Sequence, residues 1–190
     1  MHRIFNSLCT ALNERDGDTH DHCSRVVALA QELGRHIELD SNELALLSLG
    51  AGLHDIGKIG IPDRVLHKPG RFAEDELETM RRHPLIGERI VRAIADQRAD
   101  RLAEIVRHHH ENFDGTGYPD GLRGTAIPLF ARIVSLTDNY DAMAAPRPYH
   151  PGRTHHEIID LMSGPDAEKF DPDLLHAFRH VIEHSPMRAA

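Results

Sequence analysis

Apolar residues recur at intervals of three or four along most of this 190-residue chain, whereas the alternation typical of β-strands is nearly absent. Such spacing places apolar side chains on one face of a helix, and each face needs a partner that covers it. We therefore predict an all-α fold. The predicted helices cover residues 2–14, 19–37, 41–55, 73–81, 83–96, 99–110, 127–145, 154–163 and 171–184.

Glycine and proline interrupt the helical pattern most clearly at residues 57–69 and 114–124. Neither stretch is long enough to link two domains, and 190 residues with 40% hydrophobic content suit one core. We predict a single domain over residues 1–190. The Gly-rich loop at 114–124 is better explained as a shaped element of a site than as a tether.

Composition excludes some classes of partner and some cellular locations. A net charge of -8 argues against a broad surface for DNA or RNA polymers, and no apolar run approaches the roughly 18 residues of a membrane span. Two cysteines are too few for a disulfide framework, and the N-terminus lacks the layout of a secretory signal. We expect a cytoplasmic protein without membrane insertion.

Several of the 16 histidines share a helical face with apolar residues. His22 is in line with Val26, Leu29 and Leu33, and the same test places His54, His83, His109 and Asp138 on apolar faces. Any one of these histidines is more often a hydrogen-bonded core residue. Together, buried imidazoles and carboxylates are costly to desolvate unless they share partners, and divalent metal ions satisfy all of them.

The pairs His54-Asp55 and His109-His110 stand at predicted helix ends, where a frayed last turn lets adjacent side chains converge. This donor set exceeds the needs of one tetrahedral ion, so we predict two metals bridged by Asp55 and a water or hydroxide. Nitrogen and oxygen donors without thiolate favour iron or manganese, with zinc and nickel as alternatives. Cys23 is interpreted as an ordinary small side chain.

The motifs of the chain resemble those of the HD superfamily of metal phosphohydrolases, and in particular its HD-GYP family. They are His54-Asp55-Ile56-Gly57-Lys58, Lys68-Pro69-Gly70, His109-His110-Glu111, Gly117-Tyr118-Pro119, Ile127-Pro128-Leu129, Asp141-Ala142 and Phe170-Asp171-Pro172, within about residues 12–180. The resemblance implies an HD-type helical bundle with a Gly/Pro-rich GYP loop. It also implies a metal-dependent phosphodiesterase that hydrolyses cyclic di-GMP to linear pGpG, GMP or both through a metal-bridging hydroxide.

By this resemblance the metal ligands map onto seven residues that agree with the helical faces: His22, His54, Asp55, His83, His109, His110 and Asp138. Some relatives hold a third metal with a glutamate four residues before the first histidine, and Asp18 occupies that place here. An aspartate in the first turn of a helix is equally well explained by the helix dipole. A third ion is therefore an open alternative.

The resemblance also suggests catalytic and substrate-binding residues. Asp55 and Lys58 are the candidate catalytic residues, with Lys58 reaching the site if the helix of His54 continues. Arg147 and Lys58 are expected to contact substrate phosphate or guanine. Tyr118 is expected to pin the loop first and to contact substrate or a partner second. In relatives the GYP motif is linked to diguanylate cyclase domains of the GGDEF type.

The remaining histidines are interpreted as ordinary. His176, His180 and His184 lie opposite the apolar face of the last helix, and His108 and the pair His155-His156 lack carboxylate companions at ligand spacing. Two other functions compete with hydrolysis of cyclic di-GMP. A catalytically silent binding module should have lost a ligand position, and a mononucleotide phosphohydrolase would not need the GYP motifs.

Overall fold

The computed structural model describes residues 2–16, 19–145 and 152–189, and within these ranges it contains helices and no β-strand. The α-helices are α1 (His2–Arg15), α2 (Thr19–His36), α3 (Ser41–Leu53), α4 (Asp63–Leu66), α5 (Glu74–Met80), α6 (His83–Arg92), α7 (Ala99–His108), α8 (Leu129–Ala144), α9 (His155–Ser163) and α10 (Pro172–Ile182). Three short 3-10 segments are Ile56–Gly60, Gly124–Ala126 and Ala167–Lys169. The all-α prediction is confirmed.

Each of the nine predicted helices is present, with ends that differ by at most four residues. The predicted interruption at 57–69 also contains two short helical segments that were not predicted, α4 (Asp63–Leu66) and the 3-10 segment Ile56–Gly60. Pro62, with φ of -60°, directly precedes α4 and accepts its first backbone hydrogen bonds. One turn of helix is too short to produce an apolar period, so the sequence pattern could not reveal it.

Side-chain caps fix the starts of several helices. Asp40 accepts hydrogen bonds from the backbone N–H groups of Asn42 and Glu43, while the Glu43 carboxylate accepts one from Asp40 N. Asp171 caps α10 in a similar way through the N–H groups of its second and third residues. Each cap contributes about 1 kcal/mol, and the cap on α3 fixes the start of the helix that ends beside His54.

The core lies between α2, α3, α7, α8 and α10. Its fully buried apolar side chains include Val26, Leu29, Leu33, Leu47, Leu102, Val106, Ile133 and Phe178. Truncation of such a leucine to alanine typically costs about 2–5 kcal/mol. Because His22, His54 and Asp138 lie on or at the ends of the same helices, this core holds them on a rigid scaffold.

The 3-10 segment Ile56–Gly60 packs unusually close to the start of α6. A Cβ atom on Gly57 would lie 1.8 Å from the His83 carbonyl oxygen and 2.5 Å from Gly87 N. Only glycine permits this approach. The contact brings Asp55, just before the segment, next to His83 at the start of α6.

Among the described residues, no helix combines the length and the apolar character that a membrane crossing requires.

Candidate metal centre

Seven side chains converge from five places in the fold. His22 comes from α2, His54 and Asp55 follow α3, His83 begins α6, His109 and His110 follow α7, and Asp138 lies in α8. They form two groups, in each of which the potential ligand atoms lie within 4.8 Å of one another. The Asp55 group is Asp55, His83, His109 and His110, and the Asp138 group is Asp138, His22 and His54. The expected convergence is observed.

The predicted inward orientation is also observed. His54, Asp55, His83 and His109 are buried, and His22, His110 and Asp138 are partly buried. The Asp138 group is the more open of the two, because two of its three members retain some exposure while the Asp55 group has one such member in four.

The Asp55 carboxylate lies between the two groups. Its Oδ1 atom is 3.3 Å from His83 Nε2 and 4.0 Å from His109 Nε2. Its Oδ2 atom is 3.4 Å from His54 Nε2, a member of the Asp138 group. A carboxylate with one oxygen toward each group has the geometry of a bridging ligand between two cations.

Backbone carbonyl groups orient three of the imidazoles. The Nδ1–H groups of these rings donate to the carbonyl oxygen three residues earlier: His54 to Ala51 at 2.6 Å, His83 to Met80 at 2.9 Å, and His109 to Val106 at 2.7 Å. A carbonyl oxygen can only accept, so each Nδ1 carries the hydrogen and each Nε2 presents a lone pair to the centre. This is the arrangement that metal-binding histidines adopt.

Two contacts show that these residues fit a divalent ion. His54 Nε2 is fully buried and has no hydrogen-bond partner among the described residues. His83 Nε2 and His109 Nε2 are 3.3 Å apart, although both Nδ1 atoms already carry the hydrogen that each neutral ring has. Facing lone pairs are unfavourable without a shared cation, and imidazole with carboxylate is a donor set that suits first-row divalent metals.

Burial and neighbouring charges shift the pKa values of the titratable groups in different directions. Burial, with a smaller effect from His83, lowers the pKa of His110 to about 3, and burial likewise holds the pKa of His109 well below its ordinary value. Neutral imidazoles keep their lone pairs available. Burial opposes the ionised form of Asp55, but Lys58 and His54 hold its pKa well below the ordinary value. Asp55 is thus an ionised carboxylate beside the neutral imidazoles of His109 and His110, whereas burial of His54 is outweighed by the charge of Asp55, which raises the pKa of His54.

Lys58 lies where the sequence analysis expected it, although by another route. α3 ends at Leu53, and Lys58 belongs to the separate 3-10 segment Ile56–Gly60. Its ammonium group is 2.7 Å from Asp55 Oδ2 and 3.8 Å from Asp16 Oδ2. Burial would lower the pKa of Lys58, but the charge of Asp55 outweighs it and raises that pKa, so the group is a fixed cation at the edge of the centre.

His22 has a carboxylate partner that the sequence analysis missed. Its Nδ1 atom is 2.7 Å from Asp141 Oδ2, and its Nε2 atom is 3.1 Å from Asp138 Oδ1. Burial lowers the pKa of His22, but the hydrogen bonds with both aspartates raise it to about 9. Arg25 also binds Asp141, through Nε at 2.6 Å and Nη2 at 3.0 Å. A usable signal was the three-residue spacing of Asp138 and Asp141 and of His22 and Arg25.

The GYP loop packs directly on His110. The Tyr118 ring stacks on the His110 ring with centroids 4.9 Å apart, and Tyr118 N donates to His110 O at 3.1 Å. A Cβ atom on Gly117 would lie 2.2 Å from Asn112 N and 2.6 Å from His110 O. Glycine is therefore required here for close backbone approach, and the predicted structural role of Tyr118 agrees with its position.

A second set of contacts ties the far side of this loop to the helices. The buried Glu111 carboxylate accepts hydrogen bonds from Asp120 N at 2.7 Å and Leu122 N at 3.1 Å. Arg107 binds both oxygens of Asp120, each at 2.7 Å. No role was predicted for Glu111, Arg107 or Asp120, because their contacts depend on the path of the loop.

The remaining histidines are partly as expected. His176, His180 and His184 are exposed, as predicted. The expectation that His155 and His108 lack carboxylate companions was wrong, because His155 Nε2 is 3.0 Å from Glu183 Oε1 and His108 Nε2 is 2.9 Å from Asp120 Oδ2. His155 is buried and also contacts Tyr140 Oη, so it joins α9 to α8 in the packing of the fold. Asp18 and Arg147 lie outside the described residues.

The helices and their buried His/Asp cluster define an all-helical protein able to hold metal ions. The family model described as HD domain matches residues 6–174. The chain belongs to the HD domain family, and its resemblance to the HD-GYP members is confirmed by the relatives that it matches.

Among curated proteins, the cyclic di-GMP phosphodiesterase response regulator RpfG of Xanthomonas campestris is 39% identical over 173 residues, which are 91% of this chain and 46% of that protein. The 3'3'-cGAMP-specific phosphodiesterase 2 of Vibrio cholerae is 32% identical over 181 residues, covering 95% of this chain and 34% of that protein. The chain spans less than half the length of either relative.

Among solved structures, the cyclic GMP-AMP specific phosphodiesterase V-cGAP3 of Vibrio cholerae aligns with a TM-score of 0.73 at 21% identity. The alignment covers 97% of this chain and 49% of that chain. This similarity shows the same fold and confirms the predicted HD-type helical bundle.

Proposed function

We propose that the chain is a metal-dependent phosphodiesterase that hydrolyses cyclic di-GMP to linear pGpG, GMP or both. The position of Asp55 supports this proposal most directly, because its two carboxylate oxygens face two separate groups of ligand atoms. Two adjacent cations are the usual arrangement for displacement at a phosphodiester. The 39% identity to a relative named a cyclic di-GMP phosphodiesterase supports the substrate.

In this proposal the seven side chains of the two groups hold two divalent ions, iron or manganese. The ions, when bound, supply Lewis acidity that activates a water and polarises the phosphodiester. The chain supplies the donor atoms and their orientation. The carbonyl-bound Nδ1 atoms keep His54, His83 and His109 in one tautomer and one orientation, so that the donor atoms are in place before substrate arrives.

Lys58 is proposed to contact a phosphate oxygen of the substrate and to assist the leaving group. Its ammonium group already lies 2.7 Å from Asp55, at the edge of the centre, and its side chain is only partly buried. A fixed cation at this place favours a dianionic dinucleotide over a neutral ligand. The ammonium group is charged at neutral pH, because the charge of Asp55 outweighs burial and raises its pKa above the ordinary value.

Tyr118 and Arg147 complete the proposed substrate contacts. Tyr118 covers His110, and the guanidinium carbon of Arg81 is 5.4 Å from the centre of the Tyr118 ring. The Tyr118 ring thus lies beside a candidate metal ligand and a cation, which supports a contact with a bound guanine base. The proposal for Arg147 rests on the family resemblance.

Further parts of the proposal concern the whole protein. We propose one domain over residues 1–190, a cytoplasmic location, and diguanylate cyclase domains of the GGDEF type as partners of the GYP loop. Asp18 is proposed as a ligand to a third ion only as an alternative to its place in a helix first turn. These proposals rest on the sequence and the family resemblance.

A second candidate substrate is the mixed cyclic dinucleotide cyclic GMP-AMP. A relative that is 32% identical to this chain is named a 3'3'-cGAMP-specific phosphodiesterase. The two substrates share the cyclic phosphodiester and differ in one base, so the same metal centre suits both. The base contacts, including those of Tyr118, must then decide between them.

One experiment separates these functions. The chain is purified without oxygen, its metal content is measured, and it is incubated with cyclic di-GMP, cyclic GMP-AMP and mononucleotides. The control is Asp171→Asn, at a residue with no hydrogen bond or ion pair to the seven candidate ligands among the described residues. We expect cyclic di-GMP to be cleaved at the highest kcat/KM. Faster cleavage of cyclic GMP-AMP would favour the second candidate substrate. Binding without cleavage would indicate a silent module, and cleavage of mononucleotides would indicate another kind of phosphohydrolase. Each of these three results would overturn the proposal.

A further inference from the structure

The histidines of the two groups differ in what orients them. Three imidazoles, His54, His83 and His109, donate from Nδ1 to backbone carbonyl oxygens. His22 instead meets a carboxylate, with its Nδ1 atom 2.7 Å from Asp141 Oδ2. A backbone carbonyl stays in place whatever the side chains are. The orientation of His22 therefore depends on a side chain that must itself be held.

Arg25 holds that side chain. Its Nε donates to Asp141 Oδ1 at 2.6 Å and its Nη2 to Asp141 Oδ2 at 3.0 Å, a two-point contact that prevents the carboxylate from rotating. Asp141 is 3% exposed, so water cannot replace these partners easily. Loss of either partner would leave a buried charge with fewer hydrogen bonds.

Helical spacing places these contacts in one row across the interface of α2 and α8. Arg25 follows His22 by three residues in α2, and Asp141 follows Asp138 by three residues in α8. Residues three apart lie on the same helical face. His22 therefore lies between Asp138, 3.1 Å from its Nε2 atom, and Asp141 on its Nδ1 side.

We propose that Asp141, held by Arg25, is a positioning residue that controls metal retention in the Asp138 group alone, by orienting His22 and strengthening it as a donor. A carboxylate behind a metal-binding imidazole increases the basicity of the ring more than a neutral carbonyl does. Nothing in the Asp55 group contacts Asp141 among the hydrogen bonds and ion pairs of the described residues. The inference rests on the proposed two-ion function.

The test is metal retention by the purified full chain, loaded with Mn²⁺ and then dialysed against a chelator of graded concentration. We expect the wild type to retain about two ions per chain. Asp141→Asn should retain about one, with the affinity for the other weakened by about 10–100-fold. Asp171→Asn is the matched control, because Asp171 is also a buried carboxylate paired with an arginine, Arg132, and has no hydrogen bond or ion pair with any of the seven candidate ligands among the described residues.

Double variants identify which ion is lost. Asp138→Asn combined with Asp141→Asn should retain one ion, like either single change, whereas His83→Ala combined with Asp141→Asn should retain none. Arg25→Gln alone should weaken metal retention. Added to Asp141→Asn it should have no further effect, because Arg25 acts through Asp141. Circular dichroism and thermal unfolding of each metal-free variant establish that the helices are intact.

The failures are distinguishable. If the wild type retains two ions and Asp141→Asn retains both with unchanged chelator resistance, Asp141 has only a structural role and the inference is overturned. Equal losses in Asp171→Asn would overturn it as well, because a general loss of stability would then explain both. A wild-type chain with fewer than two ions would overturn the proposed function and the inference with it.

Discussion

The Asp55 group and the Asp138 group use the same kinds of side chain but are supported in different ways. In the Asp55 group, backbone carbonyl groups orient His83 and His109, and the GYP loop covers His110. In the Asp138 group, His22 depends on an ion pair between two helices. The difference teaches that local backbone carbonyls orient His54, His83 and His109 across both groups, whereas the orientation of His22 depends on long-range packing.

Asp55→Asn should have the largest effect on catalysis, because the Asp55 carboxylate has one oxygen toward each of the two groups. The amide keeps the shape of the side chain and removes the charge that faces both groups. We expect kcat for cyclic di-GMP to fall by about 10⁴-fold, a size typical when a member of a concerted catalytic unit is removed. Steady-state kinetics at saturating Mn²⁺ measures it, and a loss below tenfold would rule out a bridging role.

Gly117→Ala should damage the Asp55 group selectively. The added Cβ atom would meet Asn112 N at 2.2 Å and His110 O at 2.6 Å, so the loop must move away from His110. Overpacking of this kind typically costs about 1–3 kcal/mol of unfolding free energy, measured by urea denaturation. We also expect the chain to retain fewer ions.

Gly52→Ala is the control for this change, because its Cβ would make only an ordinary 3.7 Å contact with Val27. It should leave both stability and metal content nearly unchanged. Equal behaviour of the two alanine variants would contradict the role of close packing at Gly117.

Substitutions of Tyr118 separate its ring from its hydroxyl group. Tyr118→Phe keeps the ring that stacks on His110 at 4.9 Å and should change stability by less than about 0.5 kcal/mol. Tyr118→Ala removes the stacked ring and should cost about 3 kcal/mol. Thermal unfolding of both proteins checks this, and equal losses would show that the hydroxyl group rather than the ring holds the loop.

The pair of Arg107 and Asp120 should give the smallest effect, and one that depends on pH. The hydrogen bond from Arg107 lowers the pKa of Asp120 to about 2 from 3.8. Because the folded-state pKa is the lower one, the pair stabilises the protein above pH 3.8, and this stabilisation is lost as the pH falls toward about 2. Asp120→Asn should therefore lower the urea midpoint at pH 6 and have less effect near pH 3. A difference independent of pH would contradict the ion pair.

Much of the fold could be predicted because helical periodicity is a local property. Five of the candidate ligands lie in helices or directly after them, in line with apolar neighbours most of which are buried, and their inward orientation follows from that pattern: His22, His54, His83, His109 and Asp138. The hydrogen-bond partners of these residues could not be predicted in the same way. Asp141 and Arg25 are 116 positions apart, and no local pattern specifies which carboxylate an arginine on another helix will meet.

The loop contacts show the same limit. The glycines of 114–124 indicated tight turns, but the need for Gly117 comes from the backbone of His110 and Asn112, which only the folded path brings within reach. His155 was interpreted as ordinary because Glu183 is 28 residues away and belongs to another part of the fold. The sequence identified side chains that face inward, and the packing of the helices determined what they meet.

The metal content of the purified chain tests the central claim most directly. After anaerobic purification with generous iron and manganese, elemental analysis should find about two ions per wild-type chain and a clear loss in Asp55→Asn, whose side chain faces both groups. A folded wild-type chain that remains free of metal under these conditions would contradict the account.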